Sequence, residues 1–165
     1  MTALSWSARV RQFRTHLTAR VGLGERAALV SWLRPSQLAL FDGMHVADRR
    51  HGLNVVAALH AAGTSDVELL LAGLLHDCAK GPTLGVWPRV AWSLGEAGGP
   101  WVVTIARWLP GFGAALDRLR DHAELSAEAA LAAGCSVRTA ELIRHQSEPR
   151  EPLAGELLRL ADEAN

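Results

Sequence analysis

Cysteine is scarce in this chain: Cys78 and Cys135 stand far apart and form no CxxC pair. That scarcity argues against a disulfide framework or a thiolate zinc site, and makes a reducing cytoplasm the expected compartment. Long apolar runs are missing too. No stretch reaches the roughly 18 uncharged residues of a membrane span. The N-terminal sequence MTALSWSARVRQFRTHLTAR is broken by charge where a signal peptide would be continuously apolar. Net charge is absent as well, with 17 Lys and Arg against 17 Asp and Glu. The whole molecule therefore has no general attraction for nucleic acid or acidic membranes. A small anionic substrate needs only local positive charge and stays open. Alternating strand patterns, internal repeats, low-complexity tracts and linkers are all lacking.

What remains is a chain of 165 residues, 49% hydrophobic, enough for one domain with a substantial core. Helical spacing dominates, so the expected fold is all-α, a single helical bundle. Residues 5–20 read as an amphipathic helix with Val10, Phe13 and Leu17 on one side. A helix over 25–33 is expected to close at Pro35, with a short segment around Gln37–Met44. Asp48 is the expected cap of a helix running to about Ala62, which Gly63 stops. Ser65-Asp66-Val67-Glu68 has the pattern of a capping box and opens the helix that ends at HDCAK. Further helices are expected over 123–133, over 137–146 behind Ser136, and over 153–163 after Pro152. Residues 1–43 read as an N-terminal helical extension on a core domain of 44–165.

Residues 82–113 differ in character. Trp87, Trp92, Trp101 and Trp108, four of six tryptophans, sit among Gly98-Gly99-Pro100 and Pro110-Gly111. Short irregular helices are expected there. The segment is open to four roles: a lid over a pocket, a platform for a nucleobase, a membrane-interface patch, or irregular core.

The apolar run LLLAGLLHDCAKG, residues 69–81, ends by driving His76 and Asp77 out of an otherwise apolar segment. Burying an imidazole beside an ionised carboxylate is costly unless something pairs with both. A metal ion does so economically, because neutral imidazole and carboxylate are ordinary N and O ligands. His51, in DRRHGLNVVAAL, lies on the preceding helix and Asp162, in LLRLADEAN, on the last. Facing helices of a bundle supply metal ligands in this manner.

In this order His51, HDCAKG at 76–81 and Asp162 resemble the H…HD…D signature of the HD-domain phosphohydrolases, over about residues 44–163. His122 and His145 stand where dinuclear members of that superfamily place two further histidines. The five-part pattern is similar to that of bacterial HD hydrolases that cleave diadenosine tetraphosphate, and to cyclic-dinucleotide phosphodiesterases. No GYP-like motif follows the His-Asp pair, and QSEPREP follows His145, so small bacterial HD proteins of unknown substrate are the nearer likeness. The resemblance implies that His51, His76, Asp77 and Asp162 hold one divalent metal (Fe, Mn, Zn, Co or Ni). It implies that Asp77 bridges to a second ion on His122 and His145. Two cations sharing a carboxylate can generate hydroxide and stabilise a phosphoryl oxygen. Lys80, in the HDxxK position, is implied to hold substrate phosphate or to orient Asp77. Arg49, Arg50 and Arg144 adjoin these ligands and carry planar forks suited to phosphate.

Each residue also has a plain structural role open to it. His51 can meet Asp48 on a helix surface, His122 can cap a helix start, and His145 or Lys80 can complement a helix C-terminus. Asp162 lies three residues from the end of the sequence, where fraying is common. Cys78 reads as a core thiol. The expected function is a metal-dependent phosphohydrolase acting on a small phosphorylated substrate such as a nucleotide, with Asp77 and Lys80 catalytic. The competing expectations are a catalytically silent module that senses a nucleotide or partner, and a membrane-associated adaptor.

Overall fold

The computed structural model describes residues 19–165 other than Thr83, Gly85 and Pro100, and the chain is all-α. The helix expected over 5–20 lies outside the described residues but for its last two. In chain order the helices are α1 (Leu23–Val30), α2 (Pro35–Asp42), α3 (Val46–Ala61), α4 (Val67–Leu75), α5 (Val86–Gly98), α6 (Trp101–Ala106), α7 (Phe112–Ala132), α8 (Val137–Arg144) and α9 (Ala154–Ala164). A single 3-10 turn, Cys78–Lys80, follows α4.

Helix α4 is the axis of the fold. Its residues Leu69 to Leu75 are all buried, and it packs against α2, α3, α8 and α9. Asp66 caps it, accepting from the N–H groups of Glu68 and Leu69 at 3.0 and 3.3 Å. Asp66, not Ser65, is therefore the cap, and Glu68 turns instead to Arg138. That guanidinium holds Asp66, Glu68 and Glu151 at 2.7–2.8 Å and ties the start of α4 to α8 and the segment before α9. Around α4 lies one apolar core. It draws Leu29, Leu33 and Phe41 from the N-terminal part and Ile143, Leu158 and Ala161 from the C-terminal part.

Several boundaries differ from the sequence expectation for identifiable reasons. Pro35 opens α2 rather than closing its predecessor, because proline at the first helical position gives up an N–H that has no partner there anyway. The segment 37–44 is thus largely helix. His45, not Asp48, caps α3: its Nδ1 accepts from the Ala47 N–H at 3.2 Å, and Asp48 sits buried in the first turn. Helix α7 begins at Phe112 and runs 21 residues, so His122 lies in mid-helix and caps nothing. The tryptophan-rich segment forms one 13-residue helix and one of six residues. They pack on α7 around a smaller apolar cluster that includes Leu84, Ala91, Ala106, Leu116 and Leu119.

Two glycines decide how closely α3 and α4 approach. A Cβ on Gly52 would lie 2.5 Å from the Leu74 carbonyl oxygen, and one on Gly73 would lie 2.9 Å from Leu59 Cδ1. Gly52 follows His51 directly, so this contact also sets the distance between His51 and the end of α4. Gly52→Ala is expected to destabilise the fold by about 1–3 kcal/mol through overpacking against backbone that cannot yield. Urea unfolding of the variant beside the parent chain measures it.

Candidate metal centre

Helix α4 stops at Leu75, and the chain passes through His76, still in helical dihedrals, and Asp77 into the 3-10 turn. The turn lies against α7, where Ser126 Oγ accepts from the Ala79 N–H at 3.0 Å. Leaving the helix at this point is what lets two adjacent side chains serve one site. His76 and Asp77 are 2% and 3% exposed.

His51, His76 and Asp77 form a group whose ligand atoms all lie within 4.8 Å of one another, and which can hold a metal ion. The two imidazoles meet edge to face, with centroids 5.1 Å apart. Asp162, from α9, reaches both: its Oδ1 lies 2.7 Å from His51 Nε2 and 3.4 Å from His76 Nε2. His122, from α7, brings Nε2 to 3.6 Å from Asp77 Oδ1. Lys80 grips the other oxygen, Oδ2, at 2.6 Å.

The hydrogen bonds orient these groups as ligands. His76 Nδ1 lies 3.0 Å from the Gly73 carbonyl oxygen and His122 Nδ1 lies 2.6 Å from that of Leu119. A carbonyl oxygen only accepts, so each Nδ1 carries the proton, and in the neutral rings each Nε2 presents its lone pair. Histidines that bind metals are typically held in this way from the far side of the ring. Asp77 Oδ1 is buried with no hydrogen-bond partner. An orphaned carboxylate oxygen beside imidazole nitrogens, with no thiolate near, fits a divalent cation well.

The charges agree. Burial opposes ionisation of Asp77, but Lys80 and His76 hold its carboxyl well below the usual range. Asp162, which is only partly buried, is likewise held low, by His76 and by hydrogen bonding to His51. Burial disfavours the His76 imidazolium, yet Asp77 and Asp162 outweigh it and raise the ring to about 9. Burial, then Lys80, lowers His122. Cys78 is a buried thiol, pushed up to about 12 by burial.

Not every residue named from the sequence arrives at this centre. His145 leaves the end of α8 beside Glu141, with Nε2 3.5 Å from its carboxylate. It lines a cleft with Leu142, Pro149 and Arg150 that includes none of His51, His76 or Asp77. The His145 Nε2 is buried and makes no hydrogen bond. The next residue is Gln146. It is buried, its Nε2 lies 3.2 Å from His122 Nε2, and its Oε1 has no partner. Arg50 is held by Glu25 and the Arg20 carbonyl, and Arg144 by Glu124 and Glu141. Both guanidiniums are thus committed to partners within the chain. Arg49 buries an unpartnered Nε.

Arg118 went unnoticed in the sequence. It lies one turn before His122, and its Nη1 is so close to Gly81 that a Cβ there would come within 2.6 Å. Gly81 adopts φ +86°, open to glycine without strain. The i,i+4 spacing of Arg118 and His122 was the available signal, but it has meaning only once 112–132 is known to be one helix. No family model, no curated protein and no solved structure matches this chain. Fold and site together therefore define its class: an all-α protein with a buried His/His/Asp group able to hold a metal ion.

Because the folded His76 lies above its ordinary 6.5, its imidazolium stabilises the metal-free fold fully below about pH 6.5. That contribution is lost as pH rises through about 9. The carboxylates act in the opposite sense, stabilising above their ordinary 3.8 and failing as pH falls. A bound cation must displace the His76 proton, so affinity is expected to rise about tenfold per pH unit toward 9. Calorimetric titration of the metal-free protein with Co²⁺ from pH 6 to 8 measures this slope, and a flat profile contradicts it.

Proposed function

We propose that this protein is a metal-dependent phosphohydrolase acting on a nucleotide or other phosphate ester. The observation that carries the reading is the unpartnered, buried oxygen of Asp77, set among imidazoles, with the other oxygen of the same carboxylate held by Lys80. The order His51, His76-Asp77, His122, Asp162 supports it through the resemblance to HD-domain phosphohydrolases.

His51, His76, Asp77 and Asp162 would hold the first cation. A second would find Asp77 Oδ1 and His122 at hand, with Gln146 beside them. A divalent cation in such a site acidifies water and withdraws charge from a phosphoryl oxygen. The chain's own groups prepare that chemistry. Lys80 holds Asp77 Oδ2, which keeps the carboxylate ionised and leaves Oδ1 turned toward His122. Gly73 and Leu119 fix the imidazole tautomers through their carbonyls. Lys80 would supply positive charge at the centre for the non-bridging phosphate oxygens, and Arg118, packed against Gly81, would add a planar fork. Hydrolysis adds water across the ester: the water oxygen bonds to phosphorus, the P–O bond to the alcohol breaks, and the alcohol oxygen takes a proton.

Asp77→Asn is expected to lose bound metal and to reduce turnover of an aryl phosphate or phosphodiester with Mn²⁺ by at least about a hundredfold. Elemental analysis and a spectrophotometric assay read the two effects; full turnover by the metal-free variant overturns the proposal. Arg118→Ala, outside the metal group, is expected to keep its metal and to raise KM several-fold. An unchanged KM removes Arg118 from the phosphate site.

A further inference from the structure

Among the described residues, two buried side-chain oxygens lack a hydrogen bond, Asp77 Oδ1 and Gln146 Oε1. Their residues flank a single imidazole nitrogen. His122 Nε2 lies 3.6 Å from Asp77 Oδ1 and 3.2 Å from Gln146 Nε2. Gln146 is 5% exposed and Asp77 3%, so bulk water serves neither oxygen. An unsatisfied buried acceptor is uncommon in a folded chain, and two of them around one point call for a common partner.

The elements that bring these groups together are held by the core. Gln146 follows α8, and its backbone N–H donates to the carbonyl of the fully buried Ile143 at 3.3 Å. His122 stands in the middle of α7, with its Nδ1 committed to the Leu119 carbonyl, so the neutral ring turns a lone pair outward at Nε2. Against that lone pair the Gln146 amide has two orientations, and the protein satisfies neither. As placed, the amide N–H donates to His122 and Oε1 is orphaned. Turned over about its terminal bond, the amide puts Oε1 where Nε2 was, facing the lone pair. Three acceptors then surround one point with no proton among them. A cation suits that second arrangement, because amide oxygen, carboxylate oxygen and neutral imidazole are all metal ligands.

We propose that Gln146 is a metal ligand, which through its amide oxygen completes a cation site with Asp77 Oδ1 and His122 Nε2. The inference rests on the metal reading of the neighbouring His51, His76 and Asp77 group, and adds a ligand and a cation preference to it. One imidazole with two oxygens is a harder ligand set than two imidazoles with two carboxylates, so the Gln146 site is suited to Mn²⁺ or Mg²⁺. The two sites share one carboxylate, and the amide must first give up its bond to His122. The ion at Gln146 therefore binds second and more weakly.

Mn²⁺ is titrated into the metal-free full chain by calorimetry, and the same samples are read by electron paramagnetic resonance. The parent is expected to take up two ions in unequal steps and to show the spin coupling of a pair bridged by one carboxylate. Gln146→Leu, nearly equal in volume, is expected to take up one ion at the parent's first-step affinity, without coupling. Gln146→Glu adds charge to the ligand set and is expected to bind the second ion about tenfold more tightly. Circular dichroism checks that each variant folds. A parent that takes up one ion only, or a folded Gln146→Leu with both steps unchanged, overturns the inference and leaves the first site standing. Should Gln146→Leu not fold, Gln146→Glu decides, and an unchanged second step overturns the inference. Uptake of no ion by the parent is a separate result, which overturns the metal reading along with it.

Discussion

A buried, ionised carboxylate at the end of an apolar helix is the constraint from which the rest of this structure follows. Asp77 comes after seven buried residues of α4 and has almost no contact with water. Its desolvation has to be offset by groups brought from elsewhere. Lys80 comes from the next turn, His76 from the preceding position, and His122 from α7. Even so, one oxygen is left without a hydrogen bond. A carboxylate with an open acceptor among imidazoles is a group that can hold a metal ion.

Close backbone approach makes that gathering possible. Gly52 lets α3 touch the end of α4, and the next residue back is His51. The apolar underside of α9, through Leu158 and Ala161, sets Asp162 over both rings. Helix α7 carries His122 and Arg118 one turn apart and braces the 3-10 turn through Ser126. Each donor therefore sits on an element held by core packing, which limits the motion of the site. The tryptophan hairpin is different. It has its own small apolar cluster and leaves most of its large side chains outside, which fits a contact surface better than a part of the core.

Much of this was legible in the amino-acid order. The helical period is a local property, so an all-α chain could be read directly from it. The cost of placing His76-Asp77 after LLLAGLL could be read as well and pointed to a metal ion, while the order of donors along the chain singled out His51 and Asp162. Helix ends were less legible. Pro35 suits either end of a helix at the level of sequence, and His45 is an uncommon cap. A 21-residue helix was hidden behind the glycines and prolines that precede it.

Position and order thus carried the donor types, the helical class and the polar pair at the end of the central helix, because these depend on neighbours along the chain. Only tertiary packing brought Gln146, just after α8, within reach of His122 in the middle of α7. Packing likewise engaged Arg50 and Arg144 with carboxylates distant in sequence and set Arg118 beside Gly81. Such pairings depend on distances across the bundle, which local propensity does not encode.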